Sequence, residues 1–161
     1  MKRYLLTIAI GVVFAVALGS CREAKIQSGS MEPTIKAGEA VTINYTAYVS
    51  DAPVRWDVVA FMNDQTKGKV WCHRVVGLPG ETIDIKDSFI FINGAKMTYP
   101  QKIAGIRYAA MVPGEPAKLQ LPYTIPANTY FVLGDNTNDA YDSRYIGPVK
   151  RDDIRGRVEG K

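Results

Sequence analysis

The chain has 161 residues, of which 47% are hydrophobic and 22% charged, and its formal net charge is +4. This length accommodates one folded domain with a hydrophobic core and argues against two independent domains. Basic residues are scattered among acidic ones, and no helix-turn-helix or RNA-binding motif is present, so nucleic acid is not an expected partner.

The N-terminal segment has the pattern of an export signal or signal anchor. Met1-Lys-Arg3 precedes an apolar run over residues 4–18. The run is close to the shortest length that spans a bilayer, about 17 residues. We therefore predict one membrane-anchoring helix within residues 1–21, with its N-terminus in the cytoplasm and residues 22–161 forming a domain outside the inner membrane.

Each of the two cysteines has its own interpretation. Leu18-Gly-Ser-Cys21 resembles the lipobox of bacterial lipoproteins, so a lipid on Cys21 is an alternative anchor. Cys72 lies inside an apolar stretch and is expected to be a small buried side chain. The sequence gives no support for a disulfide between them.

The remaining chain consists of short segments rich in Val, Ile and aromatic residues, separated by turn residues. The predicted strands span residues 40–45, 58–62, 70–76, 82–86, 89–92, 130–133 and about 154–158. Asp87-Ser88 indicates a tight hairpin, and Asn93-Gly94 marks a second turn. No helix longer than two or three turns is predicted, so the fold class is mainly β, with antiparallel sheets.

Residues 95–128 are the least regular part of the chain. They include Pro100, Pro113, Pro116, Pro122 and Pro126. This spacing excludes a central strand or a long helix. We predict an exposed insertion or a lid over the sheet, with a plain long connection as the alternative.

Ser30 is the candidate nucleophile. It lies in the loop of residues 28–34, where Gly29 lets the backbone turn and Pro33 stiffens the exit. Ser28 is placed so that its hydroxyl can join the Ser30 amide in stabilising an oxyanion. The alternative is a polar turn in which both serines satisfy backbone groups.

His73 is the candidate general base and the only histidine. In the predicted strand 70–76, alternation sends its side chain to the face of Trp71 and opposite to Cys72. Imidazole can accept the serine proton near neutral pH and return it to a leaving amine. A packed, hydrogen-bonded structural histidine is the alternative.

A carboxylate is needed to hold the second imidazole nitrogen as a donor. Asp135, Asp139 and Asp142 follow one predicted strand, and we select Asp142 as the third catalytic residue. Ser143 and Arg144 are expected to orient it, with Asp135 as further structural support. The loop lacks the ligand pattern of a calcium or zinc site, so no metal or cofactor is predicted.

Four stretches resemble, in order, the sequence boxes of the membrane-anchored type I signal peptidases. Residues 28–34 are similar to the nucleophile box, 55–61 to the structural box that follows, 74–80 to the general-base box, and 134–144 to the last box. From the first to the last, they extend over nearly the whole length of residues 26–149. The resemblance implies a mainly β catalytic domain of the signal-peptidase type, preceded by one membrane-anchoring helix.

Two residues depart from the bacterial pattern. His73 occupies the place where bacterial members carry lysine, whereas members of the endoplasmic-reticulum and archaeal type use histidine there. Ala140 replaces a serine that hydrogen-bonds that lysine. The resemblance therefore implies a bacterial framework with a Ser–His mechanism, and an inactive paralogue is the alternative.

The resemblance also implies the substrate and its mode of binding. The substrates would be signal peptides of exported preproteins, bound extended as an added strand beside the membrane lipid, with small side chains just before the cut and two positions earlier. The residues implied to line those pockets are Ile26, Met31, Ile35, Trp71 and Cys72, and ordinary core positions are the alternative for each.

Two other functions fit the same sequence. One is a specialised peptidase that matures a pilin or a conjugation protein, because relatives with that role share these boxes. The other is a lipid-anchored β domain that binds signal peptides or an envelope partner without cutting them.

Overall fold

The structure is a computed structural model that describes residues 20–111, 114 and 118–161. The predicted anchor lies outside the described residues except for Ser20 and Cys21, and so do Pro113 and Pro116. Within the described ranges, no helix has the length and apolar character needed to cross a membrane. Cys21 already belongs to the first strand, so the folded domain includes the last residue of the predicted anchor.

The described residues form eleven strands and a few very short helices. In chain order the strands are β1 (Cys21–Lys25), β2 (Ala40–Asn44), β3 (Val58–Phe61), β4 (Trp71–Gly77), β5 (Thr82–Lys86), β6 (Phe89–Ile92), β7 (Ala95–Lys96), β8 (Tyr123–Thr124), β9 (Thr129–Leu133), β10 (Val149–Lys150) and β11 (Ile154–Val158). The α-helix α1 spans Ser143–Ile146, and 3-10 turns span Asp64–Thr66, Gln101–Ile103 and Arg151–Asp153.

The strands form two antiparallel sheets. The larger has the order β1-β2-β11-β3-β4-β9-β10, and the smaller has the order β7-β6-β5-β8. All the strand pairs are antiparallel. The predicted fold class is therefore confirmed, and β1, which leads directly to the loop of Ser30, is an edge strand of the larger sheet.

Turn chemistry explains the smaller sheet. Asp87 and Ser88 have φ of 49° and 64°, and Asn93 and Gly94 have φ of 50° and 82°. Two consecutive residues with positive φ are characteristic of the type I′ turns that join antiparallel strands closely. Both predicted turns are confirmed, and they connect β5 to β6 and β6 to β7.

The seven predicted strands are all present, within one or two residues of the expected bounds. Four further strands were not predicted from the sequence: β1, β7, β8 and β10. Three of these have only two residues, and β1 has the largely polar sequence Cys-Arg-Glu-Ala-Lys with mostly exposed side chains. Neither kind shows the apolar alternation by which a half-buried strand is recognised.

The segment 95–128 is not simply an exposed insertion. Ile103, Tyr108 and Ile125 are buried, with exposed fractions of 3%, 0% and 1%, and they pack in the same core cluster as Ile83 and Ile90 of the smaller sheet. The expectation of exposure is wrong for these residues. Their burial joins the irregular segment to the core and thereby fixes the position of Tyr108.

Candidate active site

A cavity of about 840 Å³ lies beside the edge strand β1. It brings together many of the site residues predicted from the sequence. Those in its wall are Ile26, Ser28, Ser30, Trp71, Cys72 and His73. The candidate nucleophile and the candidate base therefore face one cavity, although 43 positions separate them in the chain.

The Ser30 hydroxyl has a polar neighbour in its own loop. Ser30 Oγ lies 3.0 Å from Ser28 Oγ, and either hydroxyl can be the donor. Within the described part of the chain, the Ser30 amide donates no hydrogen bond. An amide and a hydroxyl at this place have the chemistry to bind an oxyanion.

The loop that follows β9 is hydrogen-bonded to the backbone of the Ser30 loop. The Asn136 amide donates to the Ser30 carbonyl at 3.0 Å, and Asn136 Nδ2 donates to the Gly29 carbonyl at 3.0 Å. Gly134 is in close contact, since a Cβ atom there would lie 2.5 Å from the Ser30 carbonyl oxygen and 2.4 Å from Ala140 Cβ. Only glycine permits this approach.

Asp135 joins three segments through its buried carboxylate. Arg74 of β4 donates to it through Nε at 2.9 Å and Nη2 at 2.6 Å. The Tyr108 hydroxyl donates at 2.8 Å, and the Thr34 hydroxyl at the end of the Ser30 loop donates to the other oxygen. A buried charge is tolerated only when it is paired and hydrogen-bonded, so these donors fix the relative positions of the three segments.

Asp142 makes no hydrogen bond to the imidazole among the described residues. Its carboxylate accepts hydrogen bonds from Arg144 Nε at 2.8 Å, Arg144 Nη2 at 2.7 Å and the Gly134 amide at 3.0 Å. Ser143 Oγ accepts from the Val132 amide at 2.9 Å. As expected, Ser143 and Arg144 support this turn, but Arg144 takes both oxygens of the aspartate that was predicted to orient His73.

His73 is 2% exposed and lies among aromatic rings. Its ring centroid is 5.6 Å from that of Phe61 and 6.1 Å from that of Trp71, which confirms the face predicted by strand alternation. The Nδ1 atom is buried and has no hydrogen-bond partner among the described residues. The predicted hydrogen bond from His73 to Asp142 is therefore wrong for this structure.

Burial controls the charge of the imidazole. Desolvation lowers the pKa of His73 below its usual 6.5, and the negative charges of Asp142 and Asp135 only partly oppose this effect. His73 is therefore neutral at physiological pH, as a general base must be. Among the described residues, no hydrogen bond joins the imidazole to Ser30. The Ser30 hydroxyl is instead hydrogen-bonded to the Ser28 hydroxyl.

Three of the five predicted pocket residues line the cavity. These three are Ile26, Trp71 and Cys72. Burial raises the pKa of the Cys72 thiol to about 12, so this thiol is a poor nucleophile. Met31 and Ile35 are fully buried in the core cluster beneath the Ser30 loop and are not part of the wall. They are ordinary core residues.

Several residues around the cavity and Asp135 were not predicted from the sequence. Tyr141 is 54% exposed, lines the cavity, and its ring centroid lies 6.3 Å from that of Trp71. The hydrogen bonds from Tyr108 and Thr34 to Asp135 also could not be predicted, because no local sequence pattern indicates them. Arg74 could have been found, because a charged residue inside an apolar strand requires a buried partner.

No group of three or more His, Cys, Asp or Glu side chains among the described residues is arranged to hold a metal ion. What the site does offer is two neighbouring loop hydroxyls and a buried imidazole at one cavity. These are the components of a serine hydrolase site.

Comparison with known proteins gives the same class. The family model described as signal peptidase, peptidase S26, matches residues 1–160. The chain is 32% identical over 138 residues to signal peptidase I V of Bacillus subtilis, covering 83% of this chain and 81% of that protein. It is 33% identical over 159 residues to the probable signal peptidase I-2 of Synechocystis, covering 94% and 68%.

A solved structure supports the fold. A crystal structure of a signal peptidase I from Enterococcus faecalis V583 matches with a TM-score of 0.52 and 32% sequence identity, covering 66% of this chain and 97% of the other. The chain therefore belongs to the signal peptidase family, peptidase S26, and is a serine endopeptidase of the type I signal peptidase kind.

The close contact at Gly134 gives a first prediction. Gly134→Ala should displace the Ser30 loop, destabilise the protein by about 1 to 3 kcal/mol through overpacking and reduce peptidase activity. Gly105→Ala is the matched control, since a Cβ there meets no atom within 4 Å. Equal melting temperatures and activities for the two variants would contradict the packing role of Gly134.

The buried carboxylate of Asp135 gives a second prediction. Asp135→Asn should leave Arg74 without its counter-charge and lower the free energy of unfolding by about 3 to 5 kcal/mol. Asp139→Asn, at an exposed position of the same loop, should change it by less than about 0.5 kcal/mol. Urea unfolding monitored by tryptophan fluorescence measures both, and a small effect at Asp135 would show that it does not join the three segments.

Proposed function

We propose that this protein removes signal peptides from exported proteins, with Ser30 as the nucleophile and His73 as the general base. The observation that carries the proposal is that both side chains line the same cavity, beside the edge strand β1. The names of the relatives, signal peptidases I, support the same substrate class.

In this mechanism the Ser30 hydroxyl attacks the carbonyl carbon before the scissile bond while the imidazole accepts the hydroxyl proton. The Ser30 amide and the Ser28 hydroxyl bind the oxyanion that develops. The imidazolium then protonates the leaving amine, which departs as the N-terminus of the mature protein. Water attacks the remaining ester with the same base, and the signal peptide is released.

The base works as part of a Ser–His dyad. Because Arg144 occupies the Asp142 carboxylate, Asp142 acts on His73 only through its charge, which favours the imidazolium formed during the reaction. Substrate in the cavity must also draw the Ser30 hydroxyl from Ser28 toward the imidazole. Catalytic hydrogen bonds commonly form only when substrate is bound.

The substrate is bound as an additional strand. Among the described residues β1 pairs only with β2, so its other edge offers backbone donors and acceptors along the cavity. A signal peptide can align there in extended form, with alternate side chains directed toward Ile26, Trp71 and Cys72. These apolar residues favour small apolar side chains near the cut.

The membrane places enzyme and substrate together. The segment before β1 anchors the protein in the inner membrane as a single span, with the catalytic domain on the outer side. β1 begins at Cys21 and leads to Ser28 within seven residues, so the nucleophile is held close to the end of the anchor. Signal peptides end at the same surface.

Substitution of the dyad tests the proposal. Ser30→Ala and His73→Ala should each lower kcat/KM for a purified signal-bearing precursor by at least about 10³-fold, the usual effect of removing such groups. Ser50→Ala, the same side-chain change as Ser30→Ala at an exposed position outside the cavity, is the matched control and should keep most of the activity. Undiminished cleavage by the His73→Ala protein would eliminate the dyad.

The lowered pKa of His73 predicts the pH dependence. Protonation removes the base, so kcat/KM should fall as pH decreases, with a midpoint below the 6.5 of an ordinary imidazole. The unfolded chain binds this proton more readily than the folded protein, so the free energy of unfolding should also decrease as pH falls below 6.5. His73→Gln should lack this component. A midpoint at or above 6.5 would contradict the assignment.

A further inference from the structure

A second cavity, of about 680 Å³, lies on the other side of the nucleophile loop. Glu32, Pro33 and Thr34 line it, whereas Ser28 and Ser30 line the first cavity. The loop of residues 28–34 therefore borders both cavities, with Ser30 in the wall of the first and Glu32 in the wall of the second. The mechanism proposed above uses only the first cavity.

The second cavity is within reach of a chain cut at Ser30. Consecutive Cα atoms are 3.8 Å apart, so Glu32 Cα lies no more than about 8 Å from Ser30 Cα. An extended peptide advances about 3.3 Å per residue, and its second to fourth residues beyond the cut can enter this cavity. The edge strand and the apolar wall belong to the first cavity, which leaves the second for residues that follow the scissile bond.

The charges of the second cavity are unbalanced. Arg74 is neutralised by Asp135, and Lys161 by Glu39 at 2.6 Å. The other charged side chains in its wall are two exposed cations, Lys102 and Arg107, and one exposed carboxylate, Glu32. The excess positive charge faces the space into which the released chain would extend.

Arg107 is held in position by its neighbours. Its guanidinium donates to the carbonyls of Ala104 at 2.8 Å and Ile106 at 3.0 Å, and its Cζ lies 5.3 Å from the centroid of the Phe89 ring. Both cations belong to the irregular segment that Tyr108 ties to Asp135, and that carboxylate also binds the Ser30 loop through Thr34. The positions of the cations and the nucleophile are thus linked.

We propose that the second cavity binds the first residues of the mature protein and that Lys102 and Arg107 give it a preference for acidic side chains two to four positions after the cut. This inference rests on the proposed function and specifies its substrates. Each exposed ion pair is worth about 0.2 to 1 kcal/mol, so we expect about a 1.4- to fivefold preference per acidic residue. The preference should decrease as ionic strength rises.

The experiment uses the full chain in detergent and two precursor peptides that differ only at the third position after the cut, Asp in one and Lys in the other. The wild-type kcat/KM should be several-fold higher for the Asp peptide at low salt. Lys102→Glu should remove or reverse this preference. Lys150→Glu, the same charge change at an exposed position outside both cavities, is the matched control and should keep it.

The outcomes separate this inference from the function on which it rests. Cleavage of both peptides at equal rates, or a preference unchanged by Lys102→Glu and by salt, overturns the charge inference and leaves the peptidase proposal intact. Failure of the wild-type protein to cut either peptide overturns both. The salt dependence of the wild-type protein gives an answer even where the Lys102 variant folds poorly.

Discussion

The geometry of the candidate active site depends on the hydrogen bonds and the ion pair of the buried Asp135 carboxylate. Its donors come from three parts of the chain: Arg74 in β4, Tyr108 in the irregular segment and Thr34 at the end of the nucleophile loop. A charge removed from water is stable only with partners in place, so it requires all three segments to meet. Asn136, the next residue, then binds the backbone of Ser30.

The imidazole depends on a second, separate constraint. His73 lies between aromatic rings, where desolvation favours the neutral form, and its Nδ1 atom has no hydrogen-bond partner in the described part of the chain. Asp142 is paired with Arg144 and contributes only its charge. Burial, together with the positive charge of Arg144, therefore keeps the imidazole unprotonated. The strand β4 that carries His73 also carries Arg74, so the two constraints are coupled through the sheet.

The sequence predicted the parts of the fold whose signal is local. Strands with apolar alternation and the Asp87-Ser88 turn were recognisable, whereas the short or polar strands, including the edge strand β1, were not. The meeting of Ser30 and His73 at one cavity followed from the family resemblance. Arg144 pairs with the Asp142 carboxylate as expected, but the predicted hydrogen bond from His73 to that carboxylate is not present among the described residues. Tyr108 could not be predicted, since its contact with Asp135 depends on how an irregular segment folds back.

The central claim is that the hydroxyl of Ser30 is activated by His73. Its most direct test is the reaction of the full chain with a serine-directed acylating probe, with the adduct located by mass spectrometry and its rate of formation measured. The account predicts one adduct, on Ser30, which forms at least about 10³-fold more slowly in the His73→Ala protein. An adduct on a different residue, or equal rates in the two proteins, would contradict it.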